Sequence, residues 1–311
     1  MTTTWLTYDQ WTDEHDTHRE RARGLTATFR AAQERGERHE IEEYLFSYYP
    51  IRPRRLERWS AGVGVGLWVP EGVGFGDAQA EVDRVADGRW MRVVEGPDGV
   101  GVELDVAAFV KDRGATVRFV RSLLAQTDGR APQLGCFGLH EWAMVYRSVE
   151  PRHGLPLRLG EQGTNDVVDA QRLRCTHVDA FRFFTPAAVP RNRWQPTRET
   201  QPALEQPGCL HANMDLYKWA WKLQPAVPGG LLLDCFELAR DIRYLDMQAS
   251  PYDVSRFGLP AVMVETAGGR AEYARRQKEF AERSQPLRRR LIEVCDEVLA
   301  RAEAAVGLCV A

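Results

Sequence analysis

The chain has 311 residues, of which 44% are hydrophobic and 27% charged, with a formal net charge of -3. That length can bury one large core or two modest ones, and no apolar run approaches the roughly 18 residues a membrane span needs, so the expectation is a soluble globular protein. A near-neutral balance also argues against a dedicated nucleic-acid coat, whose surface is strongly basic.

In chain order, residues 13 to 36 are densely charged with a sparse apolar stripe (Leu25, Phe29, Ala32), which predicts an exposed helix. Ile41, Tyr44, Leu45 and Tyr48 recur at helical spacing and mark a short helix that ends before Pro50. From 60 to 102 the texture changes to glycine and alternating apolar residues. Arg89 to Glu95 and Val100 to Leu104, joined by Gly96-Pro97-Asp98-Gly99, predict a hairpin. Asp105 is placed to cap a helix whose Phe109, Val110, Val117, Val120 and Leu124 face a core, with Gly114 a weak point. Helical texture returns at 139 to 148, 209 to 223, 234 to 247 and 269 to 306. In the last, Pro286 is expected to break the run and Ser284 to cap its continuation. The class is therefore α+β, mainly helical with a small antiparallel sheet or hairpin. The expected organisation is a single compact domain over 1–311: a helical N-terminal element (1–57), a β-containing insert (58–104) and a helical catalytic region (105–311).

The first residues lead into dense charge instead of an apolar export signal, and the six cysteines read as reduced thiols, so the expected location is cytoplasmic. Arginine clusters at Arg52, Arg54, Arg55 and Arg58, and again between Arg147 and Arg198, a pattern permissive for a phosphate-bearing ligand. Gly62-Val63-Gly64-Val65-Gly66 lacks the Rossmann spacing, and no Walker lysine or serine elbow is present, which argues against nicotinamide dehydrogenases and P-loop NTPases. Gly160 to Asp166 reads as a helix cap, or as an anion cradle near Arg158.

Three segments carry the candidate chemistry: Gly135 to Trp142, Arg174 to Phe184, and Gly208 to Trp219. Each sets a cysteine shortly before a histidine, a carboxylate one to four residues after it, and aromatics around both. His140, His177 and His211, with Glu141, Asp179 and Asp215, could meet in one polar pocket. They offer the donor types of a divalent metal site, with His140, His177 and His211 as its ligands. The spacing is not diagnostic, and Met144 stands where a zinc-protease helix needs its second histidine. On a strand, His177 and Asp179 would share a face. On the helix over 209 to 223, His211, Asp215, Lys218 and Lys222 form a polar stripe beside Leu210, Met214, Tyr217 and Trp221.

The stretches Cys136 to Arg147, Cys175 to Phe184, Cys209 to Ala220 and Ala239 to Met247, with Ser250-Pro251-Tyr252-Asp253, resemble actinobacterial proteins that carry the label 3-methyladenine DNA glycosylase. The resemblance covers nearly the whole chain. It implies an enzyme of base-excision DNA repair, an N-glycosidic hydrolase that removes an alkylated base from DNA or acts on a related nucleoside or nucleotide. Helical glycosylases usually carry a helix-hairpin-helix; the nearest approach here, Val227-Pro228-Gly229-Gly230, departs from that motif.

Such chemistry needs aromatic faces for a cationic ring and a carboxylate for the sugar cation. Asp215, Asp179, His177 and His211 are the catalytic candidates, and His140, Glu141, Trp142, Phe181, Arg182, Asn213, Tyr217 and Lys218 the substrate-binding ones. No cofactor is expected. The alternatives are a divalent-metal enzyme acting on a small aromatic molecule, which separate metal analysis distinguishes, and a non-catalytic binding module whose polar cluster is structural. A DNA or nucleotide substrate is the expected partner, with no membrane.

Overall fold

Alternating apolar residues build the small sheet, and helical stripes build the rest. The computed structural model describes residues 2–69, 88–96, 99–148 and 154–308. Strands β1 (Thr4–Leu6), β2 (Val65–Val69), β3 (Met91–Gly96) and β4 (Gly99–Leu104) form one sheet in the order β1-β2-β4-β3. The expected hairpin is present: β3 and β4 pair antiparallel from Met91 opposite Leu104 to Gly96 opposite Gly99. Its tip, Pro97 and Asp98, lies outside the described residues, as do residues 70–87 and Arg152.

The sheet is mixed and not purely antiparallel, because β1 runs parallel to β2. The N-terminal element thus contributes a strand to the sheet that the sequence confined to 58–104. The physical reason lies in Trp5, whose ring stacks on Trp68 at 4.4 Å and lies over Gly66 and Gly101. A Cβ at Gly66 would come within 2.4 Å of that ring.

Twelve helices accompany the sheet among the described residues. Those used below are α1 (Tyr8–Leu25), α2 (Ala27–Glu34), α3 (Glu43–Ser47), α4 (Pro53–Leu56), α5 (Val106–Asp128), α6 (Leu139–Ala143), α7 (Gly160–Ala170), α8 (Val178–Phe181), α9 (Gln201–Leu204), α10 (Leu210–Lys222), α11 (Gly229–Ala249) and α12 (Ala267–Leu308). The charged N-terminal stretch is two helices, not one. Trp11, His18, Ala22, Phe29 and Ala32 are buried, so its inner face belongs to the core. Asp105 does cap α5, its side chain accepting from the Ala108 amide at 2.9 Å. The helix expected over 139 to 148 is only the five residues of α6.

Pro286 does not end a helix. Helix α12 runs through it, and Ser284 donates to the Ala281 carbonyl at 2.8 Å instead of capping anything. Proline costs a helix one amide donor and some crowding. The tight packing of α12 against α5, α10 and α11 outweighs that cost.

Helices α10 and α11 form the centre. Along α11, Leu231, Leu232, Leu233, Phe236, Leu238, Ala239, Ile242 and Leu245 are all buried, so this helix is apolar around most of its circumference. Buried apolar area at roughly 25 cal/mol per Å² makes such a helix a strong organiser of the core. The charged residues it does bury, Arg243 and Asp246, therefore need partners. No described helix is long and apolar enough to cross a membrane.

Candidate functional site

The three histidine segments converge. The His140 and His211 rings meet edge to face at 4.4 Å between centroids, and His177 stacks on His211 at 5.4 Å. Each arrives from a different helix start: His140 from α6, His177 at the N-cap of α8, and His211 in the first turn of α10. His177 is therefore a helix cap and not a strand residue. A short alternation of polar and apolar residues fits either, and here the imidazole Nδ1 accepts from the Ala180 amide at 3.3 Å.

With Nδ1 accepting, the ring proton belongs on Nε2, which points to Asp215 Oδ2 at 3.2 Å. Asp215 is fully buried and also accepts from the Tyr49 hydroxyl at 3.0 Å and from the Lys218 ammonium. Burial alone raises a carboxyl, but the Lys218 charge and the His177 hydrogen bond outweigh it and hold Asp215 far below the ordinary carboxylate range. Lys218 also reaches Asp179 Oδ2 at 3.4 Å, and its ammonium lies over the Trp219 ring at 4.4 Å.

Asp179 is the carboxylate that meets the open cleft. Arg198 donates to its Oδ1, and Arg182 approaches at 3.7 Å. Burial and the neighbouring Asp215 charge raise its carboxyl, yet the Lys218 and Arg198 charges bring it below its ordinary value, so it is ionised. The cleft has a volume of about 810 Å³ and is walled by Tyr48, Tyr49, Phe119, Trp219 and Trp221. Arg182, Arg198, Lys218 and Lys222 stand in the same wall. Burial first, then the neighbouring Lys218 charge, lowers Lys222.

On the far side of His177 lies a second cluster. His140 Nε2 stands 2.9 Å from Asp246 Oδ1. Asp246 Oδ2 accepts from Arg243 Nη1 at 3.1 Å, and the same guanidinium nitrogen donates to Glu141 Oε1 at 2.9 Å. The Arg243 guanidinium lies 4.4 Å from the centroid of the Tyr44 ring. Burial lowers His140, but the Asp246 charge beside it overcomes that and leaves it raised. Burial, with repulsion from His140, pushes His211 down to about 3, so its ring is neutral. This cluster borders a small, partly open pocket of about 40 Å³ lined in part by Cys136, Cys175, Cys209 and Tyr273. Burial raises these thiols, Cys175 to about 12; the described cysteines are all free.

Several candidates from the sequence take other places. Glu141 is an ion-pair partner inside the protein. Trp142 is fully buried and donates to the Ala249 carbonyl at 2.8 Å. Asn213 bridges the Pro207 carbonyl at 3.0 Å and Arg288 at 2.6 Å. Tyr217 is core, edge-on to Tyr49 and Phe236. Phe181 packs on Phe184. None of these five lines the cleft, whereas Asp179, Arg182 and Lys218 do. Asp215, His177, His211 and His140 lie behind it.

The expected metal set also changes. Both ring nitrogens of His177 are used, by the Ala180 amide and Asp215, and Asp246 takes its place beside His140 and His211. The anion cradle near Arg158 is not formed: Gly160–Ala170 is a helix, and Arg158 makes a two-pronged pair with Glu265 at 2.7 and 2.9 Å. The sequence reading missed Asp246, Arg243, Tyr48 and Tyr49 as site residues, and reached Arg198 only as a member of the arginine cluster permissive for phosphate. Arg243 and Asp246 left little signal, because their i,i+3 opposite-charge pair lies on a helix that also carries Asp234, Glu237, Arg240 and Asp241.

No protein-family profile, curated protein or solved structure matches this chain.

Proposed function

We propose that the protein hydrolyses the N-glycosidic bond of a nucleotide-sized substrate held in the cleft. One observation carries this reading: an ionised carboxylate, Asp179, opens into an 810 Å³ cleft walled by five aromatic rings and four cationic side chains. Ligand sites of roughly 300–1,000 Å³ suit molecules of nucleotide size. Rings favour a purine, and more so an alkylated, cationic one. Arginine and lysine favour its phosphate.

In this reaction the bond from the sugar C1′ to the base nitrogen breaks, the base keeps the electron pair, and C1′ gains cationic character. A carboxylate beside C1′ stabilises that charge, and a water oxygen then completes the sugar while its proton leaves to the base or solvent. Asp179 suits the electrostatic role because Arg198 and Lys218 keep it ionised at near-complete burial. Asp215 and His177 hold Lys218 in place as positioning residues. The departure of Val227-Pro228-Gly229-Gly230 from a helix-hairpin-helix favours a small nucleotide over duplex DNA.

The test is release of free base, by chromatography, from N-methylated purine nucleosides, their 5′-monophosphates and methylated duplex DNA. The expected order is monophosphate above nucleoside above duplex. Asp179→Asn, which keeps shape and loses charge, should lower turnover at least about 100-fold, the scale of a removed transition-state electrostatic contact. No base release from any of the three, or undiminished turnover by Asp179→Asn, would refute the proposal.

A further inference from the structure

We propose that His140, His211 and Asp246 bind one divalent first-row transition-metal ion, with an open coordination position facing the small pocket beside them. This site is separate from the cleft and does not depend on the glycosidic reading. One ligand atom from each of the three residues lies within 4.8 Å of the others, and all three side chains are buried, at 7, 5 and 0% exposure.

His140 Nε2 and Asp246 Oδ1 face each other at 2.9 Å as a buried ion pair, and neither atom has a further hydrogen-bond partner. An ion entering between them would have only that pair to displace, and buried polar atoms gain from additional partners. Two donors about 2.1 Å from one ion would stand about 3.4 Å apart at a tetrahedral angle and about 3.0 Å apart at an octahedral right angle, so the observed 2.9 Å fits the second and opens by about 0.5 Å for the first. The His211 ring, edge to face with His140, supplies a third direction.

Charge points the same way. Two buried carboxylates, Glu141 and Asp246, share one guanidinium, Arg243, so the second positive charge at this cluster comes from His140 or from an ion bound in its place. Two imidazoles and one carboxylate select a borderline cation such as zinc, cobalt or ferrous iron over magnesium or calcium, which prefer oxygen. The cavity of about 40 Å³ beside His140 and His211 holds a few waters, enough for the remaining positions. Asp246 is itself oriented by Arg243, as a supporting contact of a metal site should be.

The probes are Zn²⁺ and Co²⁺ added to untagged, chelator-stripped protein. After removal of excess ion, the expected content is about one zinc per chain, and cobalt should give visible absorption bands of a histidine-bound ion. His211→Gln and Asp246→Asn should each weaken binding by at least about tenfold. His177→Gln should retain the ion, since both its ring nitrogens are engaged elsewhere. Zinc, but not magnesium, should raise the Tm of the wild-type protein. The wild-type measurement decides the matter even if the variants fail to fold: no zinc retained and no rise in Tm would overturn the proposal. Equal retention by folded His211→Gln and Asp246→Asn, or loss in His177→Gln alone, would overturn this ligand set.

Discussion

Replacing Asp215 by asparagine removes one charge from the centre of the network and little else. The carboxylate is fully buried and accepts from Tyr49 at 3.0 Å, from His177 at 3.2 Å and from Lys218. Asparagine keeps one carbonyl acceptor but turns the other oxygen into an amide donor. That donor would face either the Tyr49 hydroxyl or the His177 Nε2 proton together with the Lys218 ammonium. Breaking a buried ion pair typically costs about 3–5 kcal/mol. Lys218 keeps Asp179 at 3.4 Å and some access to the cleft, which offsets part of the loss, so the expected destabilisation is about 2–4 kcal/mol. In a chain of this size that corresponds to a fall of roughly 5–10 °C in Tm.

The effect also has a pH signature. Asp215 is held below its unfolded value, so its contribution is fully present above that value, about pH 4, and is lost as pH falls toward the folded value. Thermal or urea unfolding of wild type and Asp215→Asn should therefore differ by the full amount from pH 7 down to about pH 5, and converge below about pH 4. Equal stability at pH 7, or a gap that stays constant down to pH 3, would refute the reasoning.

Other consequences follow from neighbouring contacts. Lys218→Arg should keep turnover within a few-fold, because a cation beside Asp215 and Asp179 is retained, whereas Lys218→Ala should lower both Tm and turnover; complete loss in Lys218→Arg would point to the amine itself as nucleophile. Trp221→Ala removes one ring from the cleft wall and should raise KM for a purine nucleotide about tenfold, within the roughly 1–3 kcal/mol of a base stacked on an aromatic ring; an unchanged KM would place the base elsewhere. Arg243→Met strands Glu141 and Asp246 together and should cost about 3–5 kcal/mol, read as a large fall in Tm or in soluble yield; near-wild-type stability would mean that another cation neutralises them.

Much of the fold could be read from local chemistry. Asp105 capping α5, the β3-β4 hairpin around Gly96 and Gly99, and the polar and apolar stripes of α10 are each set by residues close in sequence. What the sequence concealed was tertiary. Pro286 stays helical because α12 is packed on three other helices, and β1 joins the sheet because Trp5 finds Gly66 and Gly101 beneath it. The convergence of His140, His177 and His211 was legible from their shared surroundings. Their division between two clusters was not, since Asp246 lies 35 residues beyond His211 on a helix with several other charged residues, and nothing local marks it out. Aromatic content likewise marked the site without sorting it: Trp142 and Tyr217 became core, while Tyr48, Trp219 and Trp221 face the cleft.

The central claim is cleavage at the glycosidic bond in the cleft, and the most direct measurement is mass spectrometry of the products from an N-methylated purine 5′-monophosphate. Wild-type protein should yield free methylated base and sugar phosphate in equal amounts, and Asp179→Asn should yield neither at a comparable rate. Intact nucleotide, or inorganic phosphate with an intact nucleoside, would contradict it.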